Sequence, residues 1–98
     1  MSDTDQIFND SFEHVVALGN RMAESRDDEL WDVADGLLAG AIQFWLYSRQ
    51  PCGDPRCADC APIATAAGRL QTLLEEVKQH AEESEYFHQP TDVNIGRA

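Results

Sequence analysis

Residues 28–49 read DELWDVADGLLAGAIQFWLYSR, and the fold turns on whether this run is a strand, a membrane span or a buried helix. Alternation of apolar and polar residues is absent, which argues against a half-buried strand. Its most apolar part, GLLAGAIQFWLY, is interrupted by Gln43 and falls well short of the ~20 residues needed to cross a bilayer. A helix accounts for the pattern. Leu30, Ala34, Leu37, Leu38, Ala41 and Trp45, together with Trp31, Ile42 and Leu46, cover well over half of its circumference. Such a helix is either central or turned towards a partner. Its remaining side is small and sparsely polar: Asp32, Gly36, Ala39, Gly40 and Gln43. Each glycine costs about 1 kcal/mol of helix propensity relative to alanine. Gly36 and Gly40 therefore mark either a close approach by another helix or positions tolerated because packing stabilises the helix.

Two further helices flank this one. Phe8, Phe12, Val15, Val16, Gly19 and Met22 form a stripe along residues 5–24, with Ser2 or Thr4 as caps and acids in the first turn. The SRDD segment at 25–28 breaks the pattern. After the cysteine-containing connection, Ile63, Ala66, Ala67, Leu70, Leu73, Leu74, Val77, Ala81 and Ser84 form a third stripe, which predicts a helix from Pro62 to about His88 ended by Pro90. The expected fold is all-α: a three-helix, mainly antiparallel bundle with a cysteine loop between helices 2 and 3. Residues 1–89 form one domain and 90–98 an extended tail with little to bury.

Composition narrows the function. The chain has 98 residues, 43% of them apolar, and a net charge of −11. That is globular composition, and the charge disfavours nucleic-acid phosphates and anionic membranes as partners. The acids are spread along the chain, with −6 in residues 1–30 and −3 in 62–98, so solvated helix faces explain them better than mimicry of nucleic acid. MSDTDQIFND lacks the basic and apolar regions of a secretory signal, and the cysteine count is odd; both point to the cytoplasm.

All three cysteines lie in PCGDPRCADCAP, residues 51–62, with C-x4-C-x2-C spacing. Cys57 and Cys60 have the spacing of half a zinc knuckle, and Cys52 is the remaining sulfur ligand. None of the histidines is placed to complete the set: His80 lies about 27 Å beyond Pro62 along a helix, His88 is farther, and His14 is about 13 Å into the first helix. Asp54, Asp59, water or another chain would have to provide the fourth ligand. Redox chemistry is an alternative. Cys60 precedes a helix N-terminus, which lowers a thiol's pKa, and Cys57 and Cys60 could pair reversibly. The plainest reading is three reduced thiols in a turn containing Pro51, Gly53 and Pro55. An iron–sulfur cluster would need a fourth cysteine and a different fold.

Nothing in the chain carries a phosphate loop, a metalloprotease helix or a nucleophile elbow, so we expect no catalytic residues and no cofactor, with zinc on the three cysteines as the alternative. Glu13 and His14 are adjacent on a helix and point about 100° apart, which leaves them as surface residues. Tyr86, Phe87 and His88 could anchor the tail or receive a peptide. The leading expectation is a small acidic protein that works by binding protein, including a second copy of itself as a homodimer. The surface expected to do so comprises Trp31, Leu38, Ile42, Trp45 and Leu46.

Overall fold

The computed structural model describes residues 3–95. It is all-α, with α1 at Asp3–Ala23, α2 at Leu30–Ser48, α3 at Ala66–Glu83 and α4 at Pro90–Ile95. Short 3-10 turns at Asp27–Glu29 and Ala61–Ile63 lead into α2 and α3, and no strand occurs among the described residues. The chain clusters into two compact units that divide after Ser48.

In the first unit α1 and α2 pack together as the helical pair the sequence predicts. The SRDD break is where expected: α1 ends at Ala23 and Asp27–Glu29 winds directly into α2. Gly19 marks the close approach, since a Cβ built there would lie 3.1 Å from Leu37 Cδ1. Gly36 and Gly40 do not mark one among the described residues, because a Cβ at either meets nothing within 4 Å there. The buried residue of α2 is Val33, which the apolar stripe leaves out. At 100° per residue Val33 lies about 160° around the helix from Trp31, so α2 is apolar on opposite sides. Trp31, Leu38, Phe44 and Tyr47 are exposed. The α1 stripe is correctly periodic yet largely uncovered, with Phe8 and Phe12 both more than half exposed.

The second unit is built around α3. Thr65 caps its start, with Oγ1 accepting from the Gly68 N–H at 3.0 Å. The preceding turn folds back on the helix: Arg69 Nη1 donates to Ile63 O at 3.0 Å, and Thr72 Oγ1, which donates to Gly68 O within the helix at 2.9 Å, lies 3.4 Å from Pro62 O. Arg49, at the entry to the cysteine loop, reaches Glu76 nearly three turns into the helix at 3.6 Å. The side of α3 that is covered is therefore Gly68, Arg69, Thr72, Leu73 and Glu76. Leu73 is buried, whereas Leu70, Leu74 and Val77 of the predicted stripe are exposed.

The C-terminal end departs from expectation. Helix α3 stops at Glu83, short of His88, because Ser84 is extended and starts a turn in which its Oγ accepts from the Tyr86 N–H at 3.2 Å. Pro90 opens α4 where the sequence reading had it end α3. It occupies a first-turn position, where a missing N–H costs nothing, and Asp92 Oδ2 accepts from the Gln89 N–H at 2.7 Å. The expected extended tail is thus helical from Pro90 to Ile95, and its last three residues lie outside the described ones.

These contacts separate two glycine substitutions. A Cβ at position 68 would sit 2.6 Å from Pro62 O, a backbone atom, so Gly68→Ala should destabilise by about 1–3 kcal/mol despite alanine's higher propensity. With open space at position 40, Gly40→Ala should stabilise by up to about 1 kcal/mol. Thr65→Ala should cost about 1 kcal/mol through the lost cap. Denaturant melts followed by circular dichroism measure all three, and equal effects of the two glycine changes would contradict the packing described.

Candidate metal centre

The loop from Pro51 to Ala61 is organised by turn chemistry that starts at Gly53. Its φ of +94° is in the left-handed region, which only glycine enters at no steric cost. Asp54 follows and closes an Asx turn: Oδ1 accepts from the Arg56 N–H at 2.9 Å, and Asp54 O accepts from the Cys57 N–H at 3.1 Å. Beyond Cys57, Ala61 N–H donates to Ala58 O at 3.3 Å and Ile63 N–H donates to Cys60 O at 3.0 Å, winding the chain into the 3-10 turn before α3. The two arms meet where Cys52 N–H donates to Cys60 Sγ at 3.4 Å.

The result is a cluster. The sulfur atoms of Cys52, Cys57 and Cys60 all lie within 4.8 Å of one another, Cys52 exposed and the other two half-buried. Three thiolates on one tetrahedral zinc, at 2.3 Å each, would be about 3.8 Å apart. Closing the cluster on an ion thus takes shifts of about 1 Å or less, within the reach of χ1 rotations. The three cysteines that the sequence nominates are brought together and could hold a metal ion.

No histidine, aspartate or glutamate joins the group among the described residues. Asp54, one of the two carboxylates considered from sequence, has Oδ1 engaged by the Arg56 amide, and the Arg56 guanidinium lies 4.0 Å away in an exposed pair of little energetic weight. His80 is 14 residues into α3, about 21 Å from its first residue. His14 bonds within its own helix, its Nδ1 at 2.7 Å from Asp10 O. The cluster offers an ion three sulfur ligands. A shallow cleft of about 230 Å³ adjoins it, lined by Pro51, Gly53, Asp54, Pro55, Ala61 and Ala64 as well as by Cys57 and Cys60.

The thiols are not equivalent. The Cys60 N–H, then the thiols of Cys60 and Cys52, stabilise a thiolate at Cys57 and hold its pKa below the usual thiol range. At Cys60 the Cys52 N–H pulls the pKa down, but the thiols of Cys57 and Cys52, partial burial and the charge of Cys52 outweigh it and push the pKa up. The sequence reading placed the activated thiol at Cys60 through the helix dipole. The α-helix begins only at Ala66, and a three-residue 3-10 turn follows Cys60 directly, so little dipole is aimed at that sulfur.

Of the proposed interface residues, Trp31 and Leu38 are exposed, while Ile42, Trp45 and Leu46 are half-buried. All five fall within about 100° of arc on α2. Phe44 and Tyr47, their ring centroids 6.0 Å apart, are exposed on another side of the helix and were missed because the apolar stripe had been assigned without them. Tyr86 is also exposed, and Phe87 stacks edge-on against His88 at 4.9 Å.

A lowered pKa on an acid means more thiolate at lower pH. In metal-free, reduced protein at about pH 6.5, Cys57 should therefore be alkylated first, with a rate midpoint below the ~8.5 of a free thiol. Peptide mapping after brief treatment with a maleimide reads the order, and modification of Cys60 first would contradict it. Comparison with protein-family models, with curated proteins and with solved structures yields no match to this chain.

Proposed function

We propose that the chain is a zinc-binding helical interaction module in which Cys52, Cys57 and Cys60 grip the ion. The observation that carries this reading is the mutual approach of the three sulfurs to within 4.8 Å. Zinc is an ion that soft thiolate ligands commonly hold. A disulfide would use two of the thiols and leave the third, whereas a metal uses all three. The second unit also has reason to need a staple. Leu73 is its one buried apolar residue among those described, and scaffolds of this size rarely draw enough stability from burial alone. Metal binding to a site absent from the unfolded chain contributes directly to folding.

Zinc should protect the thiols in proportion to its stoichiometry. One equivalent added to reduced protein at neutral pH should bring the three reactive thiols close to zero, raise the melting temperature, and release protons; a chelator should reverse all three. Because ligands bind as thiolates, the protection should fade as pH drops and protons compete for sulfur. Three fully reactive thiols in the presence of zinc would end the metal reading.

The partner we propose for the helices is a second copy of the chain. Its support is the two-sided α2, with Trp31 85% exposed and Leu38 54% exposed beside half-buried Ile42, Trp45 and Leu46. One helical neighbour covers one side of such a helix. The module would act by binding rather than catalysis, in a reducing compartment such as the cytoplasm; no described helix is long and apolar enough to cross a membrane. Leu38→Glu would bury an unpaired charge in such a dimer, weakening it by roughly 3 kcal/mol, on the order of a hundredfold in the association constant. Sedimentation equilibrium should show dimers at micromolar wild-type concentrations and monomers for L38E with unchanged helicity. A wild-type chain that is monomeric throughout that range would remove self-association.

A further inference from the structure

The thiol cluster has a directional asymmetry. Its three sulfurs come from one loop, no carboxylate or imidazole joins them among the described residues, and the cleft opens beside Cys57 and Cys60. A zinc ion favours four ligands, and sites with three protein ligands keep the fourth position for an exchangeable group. At about 230 Å³ the cleft is far larger than the ~30 Å³ share of one water molecule.

Charge selects among the groups that could enter. Three thiolates around a divalent ion leave the centre one unit negative. Asp54 lines the approach, its carboxylate 4.0 Å from the exposed Arg56 guanidinium, in a chain of net charge −11. A fourth thiolate or another anion would meet repulsion on the way in and raise the local negative charge further. A neutral nitrogen donor meets neither penalty, and imidazole on zinc completes the Cys3His set common among structural sites.

Resting on the metal reading above, we infer that the ion held by Cys52, Cys57 and Cys60 takes its fourth ligand from outside the loop, across the Pro51–Ala64 cleft, and that this ligand is a neutral imidazole. The chemistry is shared by a free imidazole compound and by a histidine side chain on a second copy of the chain. Dilution distinguishes the two. A histidine from a second copy blocks added imidazole while the copies are associated and admits it once they separate.

Cobalt(II) in place of zinc makes the fourth ligand visible. Reduced wild-type protein, loaded with one equivalent of cobalt(II) in a thiol-free reductant, should show sulfur-to-metal charge-transfer bands of three thiolates. Titration with imidazole should shift the ligand-field bands saturably while the charge-transfer intensity stays constant. Chloride or 2-mercaptoethanol at equal concentration should leave the spectrum unchanged. A shift confined to dilute protein assigns the position to a histidine of a second copy, and a shift at every concentration assigns it to a free donor. Overturning results are an imidazole-insensitive spectrum at all dilutions, which places the fourth ligand within the chain, or a stronger response to the thiol than to imidazole. Failure to bind cobalt(II) at all has a separate meaning, since it removes the metal site itself.

Discussion

The hydrogen bond from the Cys52 amide to the Cys60 sulfur closes the loop that joins the two ends of the cysteine segment, and much of the second unit follows from it. Closure requires the left-handed turn at Gly53 and the Asx turn at Asp54, which reverse the chain between the first and second cysteines. Once closed, the loop leads through the 3-10 turn into α3 at a fixed register, locked by Gly68 beneath the Pro62 carbonyl and by Arg69 on the Ile63 carbonyl. The thiols and the helix thus form one piece. An ion bound to the sulfurs would rigidify the helix start along with the loop.

Apolar burial is the weak term in each unit. Val33 and Leu73 are the buried apolar side chains among the described residues, while Ile7, Phe8, Phe12, Trp31, Phe44 and Tyr47 remain more than half exposed. Helix propensity alone cannot hold helices of this length, because most helical stability in proteins comes from packing an apolar face. Metal ligation and association are two ways to make up the deficit, one acting on the loop and α3, the other on the faces of α1 and α2. The free energy of each is linked to conditions: thiolate ligation to pH and metal supply, association to protein concentration.

Helix existence was legible from the apolar spacing, and the α1–α2 break at residues 24–29 was legible from SRDD. Burial was less so. Periodicity names the apolar side of α3 through Leu70, Leu73, Leu74 and Val77, of which Leu73 is buried, while the contacts of Arg69 and Thr72 with the Ile63 and Pro62 carbonyls draw a partly polar side inward. Val33 escaped notice because α2 is apolar nearly all round, so a stripe drawn through it is one choice among several. The end of α3 was misread because Ser84 has a side chain that can cap a turn as readily as ride a helix, and Pro90 suits a first turn as well as a stop. The cysteine window was legible as a place. What spacing could not give was the direction in which each sulfur points or which thiol the backbone amides would activate.

Zinc K-edge X-ray absorption on the zinc-loaded protein reads whether one metal ion is held by three sulfurs and one lighter atom. Three sulfur scatterers at about 2.3 Å and a single nitrogen or oxygen at about 2.0–2.1 Å are expected. A shell of four sulfurs, or one containing only light atoms, would contradict this coordination.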